Sequence, residues 1–327
     1  MSHLALLYWR MLRYRVAVMI VMFMLLGAAR ADGLVGSAWG LVWAALALAS
    51  SYVAATTIND VADREIDLVN HPRDSGRPLV SGDASERELL ALHRVSSLLA
   101  LAAAVPLGWL GVGIVGVSLT IGRAYSAPPI LLSHRTYLAP IVLGIAYVLV
   151  PYGLGLAAVG TRPSRADAGF AAALFALFVA RIVLKDFRDR AGDSRYGRPT
   201  LLLRFGKTAT CSVSLLALVA GDALLVMSVA GSVGAALLVQ LFAAAVGAML
   251  YRLWRSVDLR EEQVAIGIGA RMGNGLLLAV LGWLVLAARG AAVGEELAFA
   301  GTLAAVFGTS FVLLVTHPDE VVLGYKG

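Results

Sequence analysis

The chain has 327 residues, of which 59% are hydrophobic and only 15% charged, with a net charge of +6 and a mean hydropathy of +0.81. These values exclude a water-soluble globular domain and a disordered chain. The single cysteine, Cys211, excludes a disulfide framework and a site built from several thiolates, and basic residues scattered in short segments between apolar runs argue against nucleic acid as a partner.

Apolar runs recur along the whole sequence and predict an all-α, polytopic membrane protein. Spans are expected at 16–29, 37–58, 88–105, 109–123, 138–159, 168–184, 208–230, 233–251, 273–288 and 297–315. The last two carry the weakest pattern, so nine or ten transmembrane helices are expected around a central cavity. Arg10, Arg13 and Arg15 precede the first run in the manner of a signal peptide. That run is long and more spans follow it, so a retained first span is the better reading. No linker divides the sequence, and residues 1–327 read as a single membrane-embedded domain in the lipid bilayer.

With the N-terminus in the cytoplasm, inner segments hold 22 of the 27 Lys and Arg residues and outer loops hold four, while Arg181 falls inside the sixth span. This asymmetry predicts a multi-pass protein, in the plasma membrane, with its functional loops on the cytoplasmic side. Short outer connections near 106–108 and 231–232 make the helices they join antiparallel neighbours.

The first inner loop opens on Asn59-Asp60-Val61-Ala62-Asp63-Arg64-Glu65-Ile66-Asp67. If the helix continues through it, Asn59, Asp63 and Asp67 share one face at i, i+4 and i+8. Three oxygen donors at that spacing suit a hard cation such as Mg²⁺. A solvated loop would not need carboxylates at the mouth of a membrane helix, where they are costly. Arg77-Pro78 trails this run.

The second inner segment reads Arg123-Ala124-Tyr125-Ser126-Ala127-Pro128-Pro129, where the prolines end a helix. Tyr125 is either an interfacial anchor or a ring placed to stabilise a carbocation. The third inner segment contains Lys185-Asp186-Phe187-Arg188-Asp189-Arg190-Ala191-Gly192-Asp193, trailed by Arg198-Pro199. Asp189 and Asp193 are again one turn apart. Lys185, Arg77 and Arg198 are candidates to hold phosphate oxygens. The two acidic runs follow the second and sixth spans, which predicts two pseudo-symmetric four-helix units with their carboxylates face to face. The five histidines show no ligand spacing and receive no role.

The pattern Asn59-x-x-x-Asp63-x-x-x-Asp67, followed by Asp189-x-x-x-Asp193, resembles the two motifs of the UbiA superfamily of intramembrane prenyltransferases. Residues 76–82 (GRPLVSG) and 125–129 (YSAPP) are similar too, and the likeness runs from the second span past the sixth. Members often carry a lysine four residues after the loop tyrosine, where this chain has Pro129; Arg123 and Arg135 are the candidates to substitute for it.

The resemblance implies two Mg²⁺ ions held by Asn59, Asp63, Asp67, Asp189 and Asp193, which neutralise the diphosphate of an allylic polyprenyl substrate. Tyr125 would face the allylic cation, and a lipophilic acceptor, aromatic or a quinone precursor, would attack it. Asp60 or Asp186 would orient the acceptor or take its proton. The alternatives are a cyclase on the same scaffold and a non-enzymatic transporter or lipid-binding protein. Acceptor, chain length and oligomeric state are not written in the spacing.

Overall fold

The computed structural model describes residues 3–34, 36–72, 74, 76–229 and 233–316, and among them every regular element is helical. Helix α1 (His3–Met11) meets α2 (Tyr14–Arg30) at a bend of 68°, made at Arg13 with φ of 45°. Helix α3 (Ala38–Ala62) leads into the short α4 (Arg64–Asn70). The junction keeps helical hydrogen bonds from Asp63 N–H to Asn59 O and from Asp67 N–H to Asp63 O, each at 2.8 Å, so the first acidic run holds its common face.

Arg77 precedes α5 (Pro78–Ser81), whose first residue is the proline that cannot donate and so fits an N-terminus. A capping box between Ser85 and Glu88 starts α6 (Glu86–Ala104). A 3₁₀ turn at Val105–Leu107 and Gly108, with φ of 72°, lead into α7 (Gly108–Ser126). The chain reverses there. His93 of α6 contacts the Ala54 carbonyl while Ala103 and Ala104 pack near Ala44 and Ala47, which makes α6 antiparallel to α3. Ser118 meets Ser51 and Asn59 meets Ser126, which makes α7 parallel to it.

Helices α8 (Leu138–Gly144) and α9 (Val150–Ala158) are joined by a π turn at Ile145–Leu149 and form one rod. The proline explains the turn. Pro151 has no N–H for the carbonyl four residues back, and the widened turn relieves the clash its ring would cause. Helix α10 (Arg165–Ile182), again with a capping box (Ser164 and Asp167), passes through a 3₁₀ turn at Val183–Lys185 into α11 (Asp186–Arg195). Helix α12 (Leu201–Ser228) breaks early at Gly206, with φ of 81°, and is followed by α13 (Val233–Arg255), α14 (Leu259–Ala288) and α15 (Val293–Thr316).

Seven helices among the described residues are long and apolar enough to cross a membrane, or eight if the bent pair α1–α2 is one broken span. This is below the nine or ten spans predicted. One of the seven is the continuous stretch Glu86–Ser126, whose two arms run in opposite directions and match two predicted spans; the last predicted span, 297–315, falls on α15. The predicted outer turn at 231–232 and Lys326 lie outside the described residues.

The two halves are built alike. Helix α3 packs on α6 as α10 packs on α12, and α4 lies against α11. Glycine lets the rods approach closely: Gly27 and Gly155 leave no room for a Cβ where α2 and α9 touch backbone to backbone, and Gly40 does the same against Ala158. In lipid such contacts replace the hydrophobic drive, because tails are as apolar as leucine. The larger core joins Phe23, Phe170, Phe187 and Phe242, and a second one gathers Ile20, Met24, Leu48 and Leu154. Between them stands a cavity.

Candidate active site

The cavity has a volume of about 720 Å³ and is walled by helices of both halves. One end is polar. Asn59, Asp63, Asp67, Arg77, Tyr125, Lys185, Asp189, Asp193 and Arg198 all line it. The other end is apolar, with Met19, Val142, Leu143, Phe178, Met249 and Leu278 on its wall. Nine of the eleven residues picked from the sequence therefore share one space.

The two acidic turns meet because α4 and α11 approach closely at a glycine. The Gly192 N–H donates to Asn70 Oδ1 at 2.6 Å, and a Cβ at Gly192 would stand 2.7 Å from the Ile66 carbonyl oxygen. Only glycine permits that approach. Arg198 ties the halves together, with Nη2 on Asp63 and Nη1 3.6 Å from Asp193 Oδ1. Arg77 donates to Asp67 and lies 3.4 Å from Asp74. Asn59 Nδ2 donates to Asp63 Oδ2 at 2.9 Å and to Ser126 Oγ at 3.4 Å. Lys185 Nζ lies 3.3 Å from Asp186, and Arg188 Nε lies 3.3 Å from Asp189.

Asp60 and Asp186 stand apart from the main wall. Each is about 100° round the helix from a cavity-lining neighbour, Asn59 or Lys185, and so points behind it. Asp60 is 2% exposed, with Arg13 at 2.5 Å and Arg77 at 3.7 Å, while Asp186 lines a smaller recess behind Tyr125. Both carboxylates hold cations that reach the cavity.

The sequence reading passed over His71, which is buried with Nε2 3.4 Å from Asp189 Oδ1 and so links the two acidic turns. It also missed Asn70, whose partner lies 122 residues away. Their only sequence signal is position, three and four residues after Asp67.

No three His, Cys, Asp or Glu side chains among the described residues are gathered around one metal-sized point. The donor set nevertheless fits a hard cation. Asp193 is 1% exposed and neither of its carboxylate oxygens has a hydrogen-bond partner, a costly state that a cation would relieve. The other donors are carboxylate and amide oxygens, the type that Mg²⁺ takes. Burial pushes the Asp67 carboxyl up to about 7 against the pull of Arg77. Arg77 and Arg198 occupy Asp67 and Asp63 here, supplying the positive charge that a bound cation would otherwise bring.

The profile of the UbiA prenyltransferase family matches residues 20–274. The chain belongs to the UbiA prenyltransferase family. Homogentisate phytyltransferase of Synechocystis sp. is 33% identical over 232 residues, which cover 67% of this chain and 72% of the relative. Coumarin 8-geranyltransferase 1 of Citrus limon is 34% identical over 200 residues, covering 57% of this chain but only 47% of that longer protein. A UbiA homolog from Archaeoglobus fulgidus, solved bound to DMAPP and Mg²⁺, superposes with a TM-score of 0.62 at 20% identity, covering 85% of this chain and 98% of that one. The shared helical fold and the family membership make this an integral membrane protein and an enzyme of the prenyltransferase class.

Proposed function

We propose that the protein transfers an isoprenyl group from an allylic polyprenyl diphosphate to a lipophilic acceptor and releases diphosphate. The observation that carries this reading is the meeting of two acidic turns and a cluster of basic side chains at one end of an apolar cavity. An anionic head fits the polar end and a hydrocarbon tail fits the other. The names of the relatives support it, since they transfer phytyl and geranyl groups to homogentisate and coumarin. The Archaeoglobus protein supports the donor and metal, being bound to DMAPP and Mg²⁺.

In this reading Asn59, Asp63 and Asp67 would hold one Mg²⁺, and Asp189 and Asp193 would hold a second. When bound, the metal spreads the charge of the diphosphate and makes it a better leaving group. Lys185, Arg77 and Arg198 bind phosphate oxygens, the arginines by their two-pronged fork and the lysine as a point charge. Arg13 and Arg77 are kept in place by Asp60, and Lys185 by Asp186. Tyr125 lines the same cavity as the two acidic turns, and in this reading its ring stabilises the allylic cation. The apolar end excludes water that would quench that cation. We place this end of the cavity on the cytoplasmic side of the plasma membrane, because the inner loops carry 22 of the 27 basic residues.

The test is diphosphate release by the purified protein in lipid, from a panel of allylic diphosphates, with and without Mg²⁺ and a mixture of aromatic and glyceryl acceptors. Release that needs both Mg²⁺ and an acceptor, with prenylated product found by mass, is the expected result. Release without acceptor, giving cyclised hydrocarbon, would replace transfer with cyclisation. No release in any combination would refute the proposal.

A further inference from the structure

Arg181 is the basic residue that the sequence places inside a predicted span. A guanidinium at that depth is costly unless it faces a polar partner or a cavity, and such residues mark function. Here it has both. Arg181 is the penultimate residue of α10, lines the central cavity, and donates through Nη2 to Oδ1 of Asn274 on α14. Gly273 makes room for it, since a Cβ there would stand 3.0 Å from Arg181 Nε. The surrounding wall is apolar, with Phe178, Met249 and Leu278. Lys185 follows four residues later on the same face, so Arg181 lies one turn, about 6 Å along the helix, farther from the acidic turns.

We propose that Arg181, oriented by Asn274, binds an anionic group, a carboxylate or a phosphate, carried by the acceptor. The inference rests on the transferase reading above and assigns the residue that recognises the acceptor's anionic group. A guanidinium presents five donors in a planar fork that matches carboxylate and phosphate oxygens. Asn274 is neutral, so it fixes the plane of that fork without adding charge of its own. Lys185 and Arg198 stand beside Asp186 and Asp63, at the level of the acidic turns where the diphosphate belongs. An acid anchored one turn deeper leaves the rest of the acceptor between its anchor and the allylic carbon.

The test uses the full-length protein in lipid nanodiscs with two acid–ester pairs as probes: 2,5-dihydroxyphenylacetic acid with its methyl ester, and a prenyl-ether glyceryl phosphate with its dimethyl ester. Saturation binding is measured first, and then steady-state transfer with Mg²⁺ and geranylgeranyl diphosphate. The wild type is expected to bind at least one acid roughly 10- to 150-fold more tightly than its ester, the range for a charge-assisted hydrogen bond. Which pair shows the difference distinguishes carboxylate from phosphate. Arg181→Gln is expected to erase the preference while leaving ester affinity and the KM for prenyl diphosphate unchanged. Arg181→Lys is expected to restore part of it. Equal affinity of acid and ester in the wild type would overturn the inference. So would an Arg181→Gln variant that weakens both alike, or that raises only the KM for prenyl diphosphate. Transfer to the esters without acid preference would sink the anion site and leave the transferase reading intact. Acid-selective binding without Mg²⁺-dependent diphosphate release would do the reverse.

Discussion

Replacing Gly192 with alanine adds one methyl group at the contact between the two acidic turns. The added Cβ meets Asn70 Nδ2 at 2.6 Å and the Ile66 carbonyl oxygen at 2.7 Å. Turning the Asn70 side chain aside would strain its bond to the Gly192 N–H. The Ile66 oxygen is backbone and moves only with α4. A carbon rests comfortably about 3.3 Å or more from a carbonyl oxygen, so α11 must withdraw from α4 by roughly 0.6 Å at this point. Overpacking of this kind costs about 1–3 kcal/mol, and a displacement approaching 1 Å at a reacting centre lowers turnover by up to about 100-fold. We therefore expect Gly192→Ala to insert and fold, with a melting temperature a few degrees lower. Turnover should fall about 10- to 100-fold, and more Mg²⁺ should be needed for half-maximal rate. Gly113→Ala, where an added Cβ meets nothing within 4 Å, is the control. The assay is Mg²⁺-dependent diphosphate release in nanodiscs beside a thermal melt of the same preparation. Wild-type turnover and Mg²⁺ dependence in Gly192→Ala would show that the spacing of the two turns does not set activity.

Each of Asp63→Ala, Asp67→Ala, Asp189→Ala and Asp193→Ala should nearly abolish turnover in folded protein, and full activity in any two would sink the two-motif site. Arg198→Ala removes a cation that touches both acidic turns, so the KM for prenyl diphosphate should rise roughly 10- to 150-fold, as for a lost charge-assisted bond; an unchanged KM would remove Arg198 from the diphosphate site. Below pH about 7 the Asp67 carboxyl holds a proton that must leave before it ligates a metal. Apparent Mg²⁺ affinity should therefore weaken by up to about tenfold per pH unit below 7 and level off above it. Mg²⁺ titrations at pH 6 and pH 8 check this, and Asp67→Asn should lose most of that pH dependence.

Much of the site was legible because its signals are local. Asn59, Asp63 and Asp67 share a face whenever the helix continues, and the hydrogen bonds across the α3–α4 junction show that it does. Asp189 and Asp193 obey the same rule. What the sequence hides is angular and long-range. Asp60 and Asp186 look equivalent to their neighbours in a string, yet one step round a helix turns them behind the wall. His71 meets Asp189, and Asn70 meets Gly192, across more than a hundred residues; nothing in the local composition announces either contact. Part of the difference in span count comes from this stretch: Glu86–Ser126 is apolar throughout and counts as one span by length and composition, yet Gly108 folds it into two antiparallel arms that match the predicted spans 88–105 and 109–123.

The central claim is that the two acidic turns hold divalent metal jointly around one diphosphate. The most direct measurement is a count of bound Mn²⁺ by electron paramagnetic resonance, in the presence of an unreactive prenyl thiolodiphosphate. The account predicts two ions per chain in the wild type, magnetically coupled to each other, and one uncoupled ion in either Asp63→Ala or Asp189→Ala. Wild-type spectra and stoichiometry in both variants would contradict it.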